Sequence, residues 1–221
     1  MAKVICIAGE SGSGKTTSLR NLDPKTTYIF DCDKKGLSWR GWKKHYNAAN
    51  KNYYCCDDAN TVLKYMIGVA QKRPEIKTIV IDTIGSLMVA DEMRRMKEKG
   101  YDKWQDLAQC VWNLIDAAYT LRADLTVVFL AHTQTERDDS GYLFTRIKTS
   151  GKKLEKICLE SKFTTVLIAK CNAGQYIFET HAKNSTAKSP MGLFDEDEIP
   201  NDITQVIEAL EAYEMEENTD D

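Results

Sequence analysis

Gly9-Glu10-Ser11-Gly12-Ser13-Gly14-Lys15-Thr16 lies between a short apolar run, Lys3-Val4-Ile5-Cys6-Ile7-Ala8, and a segment from Lys15 to Leu22 that reads as a helix stopped before Pro24. A strand, a glycine-rich turn and a helix in that order leave few folds open, because the strand must be buried and the helix must pack back against it. The spacing is G-x-x-x-x-G-K-[ST], with every fixed position present. Its glycines let the backbone curl so that successive N–H groups point inward, and the helix adds its positive end at the same spot. Such a cradle suits the phosphates of a nucleoside triphosphate, with Lys15 reaching the β- and γ-phosphates and Thr16 holding Mg²⁺. The expected nucleotide contacts are Gly9, Glu10, Ser11, Gly12, Ser13, Gly14, Lys15, Thr16 and Thr17, and the expected cofactors are ATP and Mg²⁺.

The rest of the chain alternates in the same way. Thr27 to Phe30 reads as a strand running into Asp31-Cys32-Asp33, and Tyr53 to Cys56 as a short one. A helix with Val62, Leu63, Met66, Ile67 and Ala70 on one face follows Asp57 or Asp58 as cap, and Thr78 to Ile81 is a strand ending in Asp82. Helices are expected from Ser86 to about Lys99 and from about Tyr101 to Leu121. Leu125 to Leu130 is a strand leading into Ala131-His132, and Asp138-Asp139-Ser140-Gly141 turns a hairpin. Thr164 to Ala169 and Gln175 to Glu179 are late strands around Asn172-Ala173-Gly174, a loop covers His181 to Asn201, and a helix from about Ile203 to Tyr213 closes the chain. This pattern predicts an α/β fold with a mainly parallel central sheet, helices on both faces and a short antiparallel extension.

At 221 residues, 43% of them hydrophobic, the chain is long enough for one well-buried domain and short for two. The expected division is a domain over 1–203 and a C-terminal helix with an acidic tail over 204–221. Seven carboxylates between Glu208 and Asp221 have no compensating base there, so the remainder is mildly basic although the net charge is −3. A polyanionic partner is therefore permitted, with the tail as its competitor for basic surface or as a solvated end. The seven scattered cysteines lack a C-x-x-C pair and read as reduced core residues, and the absence of a long apolar run or leader predicts a cytoplasmic protein with no membrane partner.

Asp82 follows four apolar β-formers, where an acid can orient Mg²⁺ and its waters. Hydrolysis needs a further group at the attacking water, and Asp31 and Asp33 are the candidates, with Asp33 favoured. His132, at another strand end, is either a γ-phosphate sensor or a packed histidine. Past it Arg137, Arg146, Lys148, Lys152 and Lys153 flank the hairpin as phosphate-backbone contacts, with Tyr142 and Phe144 as stacking faces. The Trp39 to Tyr46 stretch also interleaves aromatics with bases, and its alternative role is to anchor a loop on the core. Lys183 and Lys188 lie in the late loop, where a neighbouring subunit's nucleotide is one target.

These residues in this order resemble the RecA-like core, most closely the small phage-encoded RecA-like ATPases associated with single-strand annealing and recombination. The likeness runs from Val4 to about Ile203 through the phosphate loop, Ile29 to Asp33, Thr78 to Thr83, Val127 to His132, and Lys183 to Pro190. It implies a P-loop NTPase core in which Asp33 activates water in the place of the family's usual glutamate, one methylene shorter. It also implies that His132 is the sensor, that Thr133 to Lys153 forms the DNA-binding loop, and that Lys183 and Lys188 act in trans at a subunit interface. The implied partners are single-stranded DNA, further copies of the chain and a single-strand-binding protein.

The leading expectation is an ATP-hydrolysing, single-stranded-DNA-binding protein of phage-type recombination or strand annealing. The alternatives are a small-molecule (nucleotide) kinase and a weakly hydrolysing nucleotide-dependent switch.

Overall fold

The computed structural model describes residues 1–98, 102–137, 139–149 and 158–217. Nine strands form one sheet: β1 (Lys3–Gly9), β2 (Thr27–Asp31), β3 (Tyr53–Cys55), β4 (Thr78–Asp82), β5 (Thr126–Arg137), β6 (Leu143–Ile147), β7 (Thr165–Asn172), β8 (Gln175–Glu179) and β9 (Glu198–Pro200). Their order is β3-β2-β4-β5-β1-β7-β8-β9, with β6 paired to β5. The pairs from β3 to β7 are parallel, whereas β8 and β9 add on antiparallel, as does β6. The fold is thus the α/β architecture expected, a mainly parallel P-loop NTPase sheet with an antiparallel extension.

Each central strand alternates its side chains between two apolar layers, as a pleated strand buried on both faces must. Val4, Cys6 and Ala8 of β1, with Val127 and Phe129 of β5, face α2 (Ala59–Lys72), α3 (Ile84–Arg94) and α4 (Asp102–Tyr119). Ile5 and Ile7, with Val128 and Leu130, face Leu19, Leu22 and the α5 helix (Ile203–Glu217) through Ile203, Val206 and Leu210. Asp58 caps α2 by accepting from the Thr61 N–H at 2.7 Å, a contribution of about 1 kcal/mol. No helix among the described residues is long and apolar enough to cross a membrane.

Three elements differ from their sequence reading. The segment after the phosphate loop is a short 3₁₀ helix over Thr17–Asn21, not an α-helix from Lys15 to Leu22. Side chains take the carbonyls that would otherwise continue the ladder: Ser18 Oγ donates to Lys15 O at 2.6 Å, and Arg20 donates to Thr17 O and to Asn201 O at 2.8 Å. The strand expected to end near Leu130 continues to Arg137, because β6 supplies antiparallel partners from Thr133 to Arg137. The polar 181–201 segment contains β9, and it also bridges to β6 at Thr145 and Ser185 and to β7 at Val166 and Lys188. The Trp39 to Tyr46 stretch holds a four-residue helix, α1 (Trp42–His45), and both tryptophans pack against the core beside Tyr46 and Tyr53.

Candidate active site

The strand order decides which side chains can meet. Because β5 runs between β1 and β4, His132 rises between the phosphate loop at the end of β1 and Asp82 at the end of β4. Register pairs Gly9 with His132 on one side and with Ala169 on the other. Gly9 must be glycine for that close approach, since a Cβ there would lie 2.7 Å from Ala169 O and 2.5 Å from Ser13 Oγ.

The loop then turns Gly14 to φ +93°, where a Cβ would meet the Tyr176 ring at 2.7 Å. Lys15, only 6% exposed, donates to Gly9 O at 2.8 Å and Glu10 O at 2.7 Å, and its ammonium is 3.4 Å from His132 Nδ1. Burial pulls the Lys15 pKa down to about 8 against the attraction of Asp82. Burial and the Lys15 charge together hold His132 below its ordinary value, so at neutral pH it is an uncharged acceptor. Ser11, Gly12, Gly14, Lys15, Thr16 and Thr17 line one cavity of about 370 Å³, with Lys35, Ser38, Thr83, His132 and Tyr176 opposite. Thr17 Oγ1 lies 2.9 Å from Ser38 Oγ, and Ser13 Oγ is buried without a partner among the described residues.

Thr16 Oγ1 donates to Asp82 Oδ2 at 2.8 Å, while Asp82 Oδ1 is buried without a partner among the described residues. Burial pushes the Asp82 pKa up to about 6. An orphaned carboxylate oxygen beside a threonine hydroxyl, at the edge of a phosphate cradle, fits Mg²⁺, which takes oxygen ligands and keeps several waters and substrate phosphates. Thr16 and Asp82 are the residues placed to hold it. Among the described residues there is no group of three or more His, Cys, Asp or Glu that could hold a metal ion.

Asp31 and Asp33 part company. Asp31 Oδ2 accepts from the Gly36 N–H at 2.7 Å and the Tyr53 hydroxyl at 2.5 Å, which ties the turn after β2 to β3. Asp33 lines a neighbouring cavity and meets the phosphate-loop cavity through Thr83 and Lys35: its Oδ1 accepts from Thr83 Oγ1 at 3.0 Å and from Ser86 Oγ, and its Oδ2 pairs with Lys35. Burial alone would raise the Asp33 pKa, but the bonds from Lys35, Ser86 and Thr83 outweigh it and hold the carboxyl below its ordinary value. Lys35, Thr83 and Ser86 did not emerge from sequence reasoning. Thr83 follows Asp82 directly and Lys35 lies two residues after Asp33, so position beside the two acids was the available signal.

The remaining candidates are dispersed. Lys148 donates its backbone N–H to His132 O at 2.7 Å and lines a second cavity with His132 and Asp33. Arg137 is exposed at the end of β5, whereas Arg146 is held between Glu136 at 3.7 Å and Glu160 at 3.8 Å. Lys152 and Lys153 lie outside the described residues. Lys183 pairs with Asp197 at 2.9 Å and the Lys188 backbone bridges Val166, so neither lines the cavity at the phosphate loop of its own chain.

No curated protein matches the chain. A family model described as AAA domain matches residues 1–191, which takes in the phosphate loop, Asp33, Asp82 and His132. The chain therefore belongs to the AAA domain family and has its nucleotide-binding, P-loop ATPase-like fold.

Proposed function

We propose that the protein hydrolyses ATP with Mg²⁺ and couples that cycle to single-stranded DNA in phage-type recombination or strand annealing. The observation that carries the hydrolytic part is the convergence of three strand ends. Lys15 and Thr16 stand at one edge, the half-partnered Asp82 in the middle and Asp33 opposite, with His132 between them. Lys15 binds the γ-phosphate oxygens, and the loop N–H groups bind the rest of the phosphate chain. Thr16 and Asp82 would hold Mg²⁺, which would supply neutralisation of the phosphate charge. Asp33 orients the water whose oxygen bonds to the γ-phosphorus as the bond to the β–γ bridging oxygen breaks, releasing ADP and orthophosphate. Its lowered pKa makes it a weak base, suited to orienting the water and receiving the proton only late. Lys183 and Lys188 are assigned to a neighbouring subunit's site, which requires an oligomer.

DNA binding is assigned to the β5–β6 hairpin, which presents exposed Arg137, Tyr142 and Phe144 beyond His132. Those side chains supply the charge and the stacking faces that a single strand needs. The test is phosphate release from ATP with no DNA, with single-stranded DNA and with duplex, for wild type and Lys15→Ala. Stimulation by single strands that is absent in the variant supports the reading, and steady turnover indifferent to DNA overturns the DNA part. Negligible turnover despite ATP binding would favour a nucleotide-dependent switch, a second reading to which the fully engaged Asp33 carboxylate is suited.

A further inference from the structure

We propose that a cavity of about 480 Å³ on the far side of Asp33 is a binding site for inorganic phosphate, the product left at the γ position. The assignment of phosphate as product rests on the hydrolytic reading above. The cavity is walled by Lys34 and Lys35 after β2, Ser86 and Val89 of α3, and His132 and Lys148 of the β5–β6 hairpin. Lys35 and His132 also wall the cavity at the phosphate loop, so the two spaces adjoin along these side chains. A phosphate freed from the β–γ bond moves past those two side chains without retracing the path of the nucleotide.

The charges fit an anion. Lys35 is compensated by Asp33, and Lys34 by Asp57 at 2.8 Å. Lys148 has no ion-pair partner among the described residues, which leaves the wall with an uncompensated positive charge. Its backbone bond to His132 O fixes where its side chain begins. The positive end of the eleven-residue α3 helix begins at the same wall. Val89 and Ala90 add apolar surface to the wall. Because Lys148 belongs to the hairpin, occupancy of this cavity also ties the hairpin to product release.

The experiment is a ³¹P NMR titration of the full chain, at saturating ADP and Mg²⁺, with inorganic phosphate as the probe. Wild type should show saturable binding, and Lys148→Gln should weaken it about ten-fold or more while circular dichroism stays unchanged. Absence of saturable binding, or equal affinity in the two chains, overturns the site. Displacement of phosphate by a short oligodeoxythymidine also overturns it, because the cavity would then belong to a nucleic-acid groove. Binding does not depend on turnover, so a wild type that binds phosphate in a Lys148-dependent way yet releases none from ATP refutes the hydrolytic reading and supports the anion site.

Discussion

Thr16 Oγ1 donates a 2.8 Å hydrogen bond to Asp82 Oδ2, and this single contact joins the phosphate loop to the end of β4 while leaving the other oxygen of the same carboxylate unsatisfied. The protein buries an anion that only a cation can complete.

That burial has a pH signature. The Asp82 pKa is about 6 in the folded chain, against about 3.9 in an unfolded one. Below about pH 4 both states are protonated and nothing is lost. As pH rises from about 4 to 6 the unfolded chain releases its proton first, so stability falls across that window, and above it the cost is on the order of 3 kcal/mol. Without Mg²⁺, Asp82→Asn should therefore melt higher than wild type at pH 7.5, with the gap closing by pH 4. Added Mg²⁺ with nucleotide should raise the melting temperature of wild type more than that of the variant. Melting curves over this pH range decide the matter, and a gap independent of pH would refute it.

Asp33→Asn keeps the shape of the side chain and removes its charge. Turnover should drop by about 10² to 10⁴ while ATP affinity holds, because the carboxylate touches the water and not the phosphate chain. Single-turnover phosphate release and equilibrium nucleotide binding separate the two effects. Unchanged turnover would take Asp33 out of the site.

Lys35→Met tests the ion pair on the other Asp33 oxygen. Losing it should move the Asp33 pKa up, since the bond from Lys35 does most to lower it. Wild type should stay active to lower pH, and the acidic limb of the variant's pH–rate profile should shift upward. An unmoved limb would mean that Thr83 and Ser86 suffice to hold the carboxylate.

Gly14→Ala should destabilise the chain by about 2 kcal/mol or more, from the positive φ and the collision with Tyr176. Tyr176→Ala in the same background should recover only part of that loss in urea denaturation, because it relieves the collision and not the backbone. Full recovery would show that φ contributes nothing.

The parts of this site that sequence made legible are those set by chemistry at fixed spacing. The phosphate loop and the acid closing an apolar strand can be read without coordinates, because each needs particular atoms at particular positions along one element. What brings Asp33 to Ser86, or Lys15 to His132, is the order of strands in the sheet, and that order is decided by packing between residues far apart in the chain. The 3₁₀ geometry after the loop was hidden for a related reason. Its carbonyls are claimed in part by Arg20, whose guanidinium is fixed by Asn201, 181 residues away. Asp31 and Asp33 were separable only through their partners, Tyr53 for one and Thr83 for the other.

Twelve residues of β5 run from the buried Thr126 to the exposed Arg137 without a break. Its inner half is clamped between β1 and β4, and its outer half carries the hairpin. A strand built this way has no hinge at His132, so it behaves as a stiff lever whose fulcrum is the sheet. Under the proposed coupling, a tilt at the nucleotide would reach the hairpin as displacement, and a load on the hairpin would return by the same arm.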